Sequence, residues 1–572
     1  MQKLAKTVRP RLTRKRVTAK VAALVLIATT SSGITPSNAM PPHPDLIERI
    51  QRGEIAAPTA LTHRTENLAA GVDRPNVPLS VSAAATDSFR TLAILVRYSD
   101  VAAQVNSAEF DTLLYVSGQS SVRDFYGEIS YGQMDMITVD LPSSTGWQIA
   151  PQTQAYYANN NNGFGAYPQN AQRLVEDALA AADPLVDFSA YDNDGNGTLD
   201  ALMIVHTGPG AEFTGNLNDI WSHKWGISSQ QRDGVWISSY AMMPEYWSTP
   251  GDMTIGVFAH ELGHVFGLPD LYDRDYSSNG VGRWSLMAAG SWNGSLGNSP
   301  AHPDAWSRIQ LGFTSAINVV TQAQGTQFPQ VETDTVIYRL WDGGIIGNEY
   351  YLIENRQRTG FDAGLPSSGL MIWHIDEAVG TQNDKEWYPG FTASGHYLVA
   401  LEPADGMWNL EKDQNSGDSG DPFPGSTTNR SFTTSTTPNS LAYSGAVSLV
   451  TITNISNSAA TMTADLSVTL ALDVDDDVRP VSAETVGNYP NPFNAQTTIH
   501  GTVSSPGQIS VAIYNILGER VRVLQTPAVV ANEWELTWDG KSGDGQLLSS
   551  GVYWYQVAGV GVKATGRMVM LK

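Results

Sequence analysis

The chain has 572 residues, no cysteine and a formal charge of −23. Disulfides, thiolate metal sites and cysteine nucleophiles are therefore excluded, and so acidic a surface argues against nucleic acid and anionic membranes as partners. Charged residues make up only 16%, against 41% hydrophobic residues, 52 Gly and 30 Pro, a balance that suits a β- and loop-rich protein of several domains.

Residues 1–39 carry eight Lys/Arg and no acid, then an apolar run Val21–Ala28 and small residues, with Ser37 and Ala39 placed as −3 and −1 of a cleavage site. That is the layout of a secretory signal peptide. The apolar run is too short to cross a bilayer, and no later stretch is long enough, so no transmembrane segment is expected. The expected location is extracellular or at the cell surface. Residues 40–87 are Pro/Ala-rich, with a short helical stretch near 46–52, and read as a pro-segment or spacer. With no Cys in the chain, any masking of a site by such a segment would use a carboxylate, a His or steric cover.

An α/β domain is expected over 88–315. Thr91–Tyr98 and Leu202–Val205 read as buried strands, and Leu174, Val175, Ala178, Leu179 and Ala182 recur at helical spacing. Between them lies Asp192-Asn193-Asp194-Gly195-Asn196-Gly197-Thr198-Leu199-Asp200. Oxygen ligands at positions 1, 3, 5 and 9, with Gly at 6, make Asp192, Asp194, Asn196 and Asp200 candidates for Ca²⁺. Met203 stands at position 12, so this is no true EF-hand; the alternative is an Asx-rich turn without an ion. His206, His223 and His374 have no ligand spacing and read as structural, and Glu212 is ambiguous.

His260-Glu261-Leu262-Gly263-His264 is an HExxH motif. Histidines at i and i+4 share one helix face, so both imidazoles can reach one zinc ion. Glu261, beside the first ligand, is placed to act as general base toward an attacking water. Gly267 is a helix stop and Pro269 forbids continuation. The chain turns there, and Asp270 comes back as third ligand, with Asp273 and Asp275 as rivals. HExxHxxGxxD matches the metzincin zinc signature with Asp in place of the usual third His. Trp284-Ser285-Leu286-Met287 follows at a distance that suits a methionine-containing turn, with Met287 packed under the metal without binding it. No Tyr follows Met287 closely, so no oxyanion-stabilising tyrosine is assigned; Tyr272 is the nearby one.

Residues 316–467 turn to strand-like runs such as Tyr350–Glu354, Leu370–Ile375 and Val447–Val468, with a Ser/Thr-rich loop over Ser426–Ser440. FAHELGHVFGLPDLYD and GRWSLMAAGSW, with YDNDGNGTLDALMIVHTGPGAE and IWSHKW upstream and GLMIWHIDE and GDSGDPFPG downstream, resemble the immune inhibitor A family of secreted bacterial metalloproteases. The resemblance covers residues 88–467. It implies a metzincin-like catalytic domain and zinc-dependent endopeptidase activity on protein or peptide substrates, with His260, His264 and Asp270 as ligands and Glu261 as base.

An acidic linker is expected over 468–487, with DVDDD at 473–477. From 488 to 572 short strands alternate, with Ile509, Val511 and Ile513 on one face, and an Ig-like β-sandwich is expected. NYPNPFN at 488–494, IYNILGE at 513–519, WDG at 538–540, SGVY at 550–553 and the tail RMVMLK resemble the C-terminal sorting domains of the type IX secretion system. That resemblance implies secretion machinery as a partner. The rival to an active enzyme is a cell-surface adhesin on an inactive protease fold.

Overall fold

The computed structural model describes residues 40–63, 72, 88–345, 347–380, 383–391, 394–468, 486–503, 509–515, 520–526, 532–543, 545–559 and 562–571. The expected signal peptide, and nearly all of the expected acidic linker, fall outside the described residues.

The first region is built on five strands, β1 (Leu92–Arg97), β2 (Trp147–Ile149), β3 (Leu202–Pro209), β4 (His223–Arg232) and β5 (Val235–Tyr246). Their order is β2-β1-β3-β5-β4. Three pairings are parallel, and the edge strand β4 runs antiparallel to β5. Parallel neighbours require crossover connections, here supplied by helices such as Val122–Ile129 and Ala171–Ala182. Leu92–Val96 is buried without interruption, as expected of a strand covered on both faces. In Ala171–Ala182 the five residues at helical spacing are all buried, and the Asn170 side chain accepts from Arg173 N at its start. The helix Ile255–Val265 is buried at every position, with Tyr126 Oη donating to Ala259 O at 2.8 Å. A helix covered all round lies inside the core.

The β-rich region is not a separate unit. Its five-stranded sheet runs Val399–Leu401, Gly369–Asp376, Glu349–Arg356, Ile337–Leu340, Ala316–Asn318, and a three-stranded sheet runs Thr451–Thr453, Thr461–Ser467, Ala323–Pro329. Successive side chains of a strand face opposite ways. Tyr351, Ile353, Leu370 and Ile372 enter a core shared with Phe328, Phe432 and Met462. Their alternates Leu352, Met371, Trp373 and Ile375 enter the main core around Ile255–Val265. The hydrophobic core is thus continuous across residue 315. Within this seam Arg308, Glu354, Arg356 and Asp362 are fully buried. Glu354 pairs with Arg308 and accepts from Trp373 Nε1 at 2.9 Å, while Arg356 Nε and Nη2 donate to Asp362 at 2.7 and 2.8 Å.

His374, on the same sheet, lies between Glu402 (Nδ1, 3.1 Å) and Glu349 (Nε2, 3.1 Å), and Tyr443 stacks on both its ring and that of His396. Burial pulls the His374 pKa down, but bonds and charges from Glu349 and Glu402 overcome it and the net shift is upward. A raised folded-state value contributes stability that is fully present below the ordinary imidazole pKa of about 6.5 and lost as pH rises through the folded value. Thermal melts across this range are expected to show that decline in the wild type and a flatter profile in His374→Gln; parallel profiles would refute it.

Residues 40–63 pack onto the first region, a closer association than a spacer implies. Met40 and Leu46 are fully buried. Trp221 Nε1 donates to Met40 O at 2.8 Å, Trp292 Nε1 to Pro41 O at 2.9 Å, and Met40 N to Ser222 O at 3.1 Å. A helix spans Pro44–Gln51. At the other end, three strands (Gly487–Tyr489, Thr497–Val503, Asn532–Trp538) face four (Arg520–Gln525, Ile509–Tyr514, Gly551–Gly559, Val562–Met570). Ile499, Trp534 and Trp538 meet Ile509, Val511, Ile513, Tyr553, Tyr555 and Val557 in one core, the two-sheet sandwich that the alternation predicts. Among the described residues no helix is long and apolar enough to cross a membrane.

Candidate metal centre

The helix Ile255–Val265 ends in a Schellman motif. Leu268 N bonds Gly263 O at 2.9 Å and Gly267 N bonds His264 O at 3.1 Å, with Gly267 at φ 102°. This turn has two consequences. It reverses the chain so that Asp270 faces the helix, and it aims the Leu268 carbonyl at His264 Nδ1, 2.9 Å away. His260 Nδ1 meets the Leu286 carbonyl at 2.9 Å. Carbonyls only accept, so each imidazole carries its proton on Nδ1 and turns an Nε2 lone pair inward. Both Nε2 atoms lie 3.3 Å from Asp270 Oδ1. The three atoms fall within 4.8 Å of one another, and all three residues are buried. Burial lowers the His260 pKa, which favours the neutral imidazole that a metal ligand must be. Burial alone would raise the Asp270 pKa, but the two imidazoles overcome it and hold the carboxyl well below the usual range.

The rivals of Asp270 are occupied elsewhere. Asp273 accepts from Ser277 Oγ at 2.8 Å and from Ser278 Oγ, and burial pushes its carboxyl up to about 7. Asp275 is exposed and caps Ser277 N at 2.9 Å. Glu261 is fully buried on the helix that carries His260 and His264. The Tyr272 ring lies 6.5 Å from that of His260, centroid to centroid. Met287 is fully buried, and its carbonyl accepts from Leu271 N at 2.8 Å, tying this turn to the residue after Asp270. A Cβ built on Gly263 would stand 2.5 Å from Met287 Sδ. In an open helix Gly→Ala stabilises by about 1 kcal/mol. Here overpacking costs about 1–3 kcal/mol, so Gly263→Ala is expected to lower the melting temperature; a rise would show that Met287 yields freely.

The acidic loop brings Asp192, Asp194 and Asp200 to within 4.8 Å of one another. Asn196 Oδ1 instead accepts from Thr198 N at 2.8 Å, inside the turn itself. His206 and His223 are buried and hydrogen-bonded to the carbonyls of Thr207 and Trp221, and burial takes both pKa values down to about 4. His374 sits in the Glu349–Glu402 clamp. The structure thus brings none of the three into the metal cluster. Glu212 is buried, accepts from Ser222 N at 3.1 Å, and is pushed up to about 7 by burial. Sequence reasoning missed the two orienting carbonyls, since backbone acceptors have no residue signature; Gly263 within the helix was a visible signal of close packing.

This arrangement, a buried helix carrying His260 and His264 beneath a mixed sheet, coincides with a match to known families. Residues 98–313 match "Immune inhibitor A peptidase M6, catalytic domain", and residues 491–561 match "FlgD Ig-like domain". The chain therefore holds a peptidase M6 domain followed by β-rich regions and an Ig-like domain. It is similar to immune inhibitor A of Bacillus thuringiensis subsp. alesti, 32% identical over 265 residues, 37% of this chain and 38% of that protein. It is also similar to the pre-pro-metalloprotease PrtV of Vibrio cholerae serotype O1 (strain M66-2), 34% identical over 194 residues, 29% of this chain and 21% of that protein. The chain thus spans well under half the length of these curated relatives. Among solved structures, FlgD from Xanthomonas campestris aligns at 21% identity over 15% of this chain and 62% of that chain, with a TM-score of 0.12.

Proposed function

We propose that this chain is a secreted zinc endopeptidase acting on protein substrates. The observation that carries the reading is the buried convergence of His260 Nε2, His264 Nε2 and Asp270 Oδ1, within a region similar to metalloproteases. Two neutral imidazoles and one carboxylate suit a catalytic zinc, which takes three protein ligands and keeps a position open. When bound, zinc supplies Lewis acidity that polarises a peptide carbonyl and makes a water more acidic. Glu261 accepts the proton of the attacking water and returns it to the leaving amine. The Leu286 and Leu268 carbonyls hold the imidazoles in register, and Met287 fixes the floor against Gly263.

Asp192, Asp194 and Asp200, with Asn196 as the remaining candidate, would hold Ca²⁺ and brace the turn into β3. The basic and apolar N-terminus supports export. The motifs of residues 488–572, on a two-sheet sandwich, support a type IX sorting role, with secretion machinery as partner and release or attachment at the cell surface. Mass spectrometry of the purified chain is expected to find about one zinc per molecule, with casein hydrolysis lost to a chelator and restored by zinc. Full hydrolysis by metal-free protein would reject the reading.

A further inference from the structure

Asp270 stands at the head of an irregular loop, and that loop is held from more than a hundred residues downstream. Arg274 Nε donates to Asp384 Oδ1 at 2.5 Å and its Nη2 to Oδ2, with both side chains 7% exposed. Asn383 Nδ2 donates to Leu271 O at 3.0 Å and to Val399 O at 2.8 Å, while its Oδ1 accepts from Val399 N at 3.1 Å. One amide thus clips the residue after Asp270 to the edge strand of the β-rich sheet. Ser278 Oγ meets Tyr397 Oη, and Asn279 N donates to Leu410 O at 3.0 Å.

We propose that the Arg274–Asp384 pair is the positioning device of the metal centre: through it the β-rich region holds Asp270 Oδ1 against the two imidazole nitrogens. The inference rests on the metal-centre reading. A bidentate guanidinium–carboxylate fork resists both translation and rotation, which a point contact does not. Burial raises the effect of the pair, because neither charge has water as an alternative partner. The contacts Leu271 N to Met287 O and Val281 N to Leu271 O, 2.8 and 3.0 Å, do not involve the pair. Breaking the pair therefore leaves that turn in place and frees the loop at Arg274, four residues beyond Asp270. Arg274 and Asp384 touch no ligand atom, so their role is positional and not catalytic.

The test measures zinc affinity on the full chain by competition with a chromophoric chelator. Arg274→Gln and the isosteric Asp384→Asn are each expected to weaken zinc by about three- to tenfold, less than the loss of a group bonded directly to a ligand, and the charge-swapped Arg274→Asp/Asp384→Arg chain to recover part of that loss. Phe432→Ala supplies the control, since Phe432 lies in the core of the β-rich region and away from the loop. It is expected to lower the melting temperature while leaving zinc affinity within about twofold, as independent sites do. Unchanged affinity in folded Arg274→Gln and Asp384→Asn would overturn the proposal. So would an equal loss in Phe432→Ala, which would reduce the effect to general loosening. A wild-type chain that binds no zinc would instead remove the metal-centre reading, a separately visible result.

Discussion

Glu261→Ala is expected to keep its zinc and to lose casein hydrolysis by at least about 100-fold, the lower end of what a positioned general base contributes. The reasons are separable. Zinc retention follows because His260, His264 and Asp270 make the three-atom cluster without Glu261, and because the carbonyls that orient the imidazoles come from Leu286 and Leu268. Loss of turnover follows because no other carboxylate among the described residues joins that cluster: Asp273 is bonded to two serines and Asp275 is exposed. Glu261→Gln keeps the shape and removes the basicity, so it is expected to fall as far as Glu261→Ala. Metal analysis and initial rates on the same preparations check both halves. Retained activity in either variant would reject Glu261 as the base, and lost zinc would move its role to the metal cluster.

Glu354→Ala is expected to give the largest loss of stability, about 3–5 kcal/mol, the range for removing one partner of a buried ion pair. Arg308 and Arg356 have no exposed surface. Asp362 still neutralises Arg356 through two bonds, whereas Arg308 loses its paired carboxylate and keeps the Val331 carbonyl and the Tyr131 hydroxyl. Trp373 Nε1 also loses its acceptor. Glu354→Gln, whose single amide oxygen can still accept from one of the two, is expected to fall less far. Urea unfolding measures the difference; equal midpoints for Glu354→Ala and wild type would show that the seam is relaxed by water.

Much of the site was legible because its chemistry is local. The i, i+4 imidazoles, the glycine stop and the aspartate three residues beyond lie within eleven positions, and helix geometry converts that spacing into proximity. What the string left open was which of Asp270, Asp273 and Asp275 faces the imidazoles. Short side-chain bonds to Ser277 and Ser278 decide that, and serines next to aspartates are too common to foretell it. The pairing of Arg274 with Asp384 was invisible, since nothing local to either residue announces a partner 110 positions away. Runs such as YYLIEN and GLMIWHID read simply as buried strands. That their alternate residues serve two different cores, and so erase a boundary at residue 315, emerges only when both faces are covered.

The N-terminal stretch carries a practical consequence. Trp221 and Trp292 direct their indole protons at the carbonyls of Met40 and Pro41 from positions with little or no solvent access. A recombinant product begun at residue 88, where the β-strands start, would deprive two indole donors of their carbonyl acceptors and open the hydrophobic seat of Leu46. Expression of the peptidase region should therefore begin at residue 40, with any affinity tag moved to the opposite terminus.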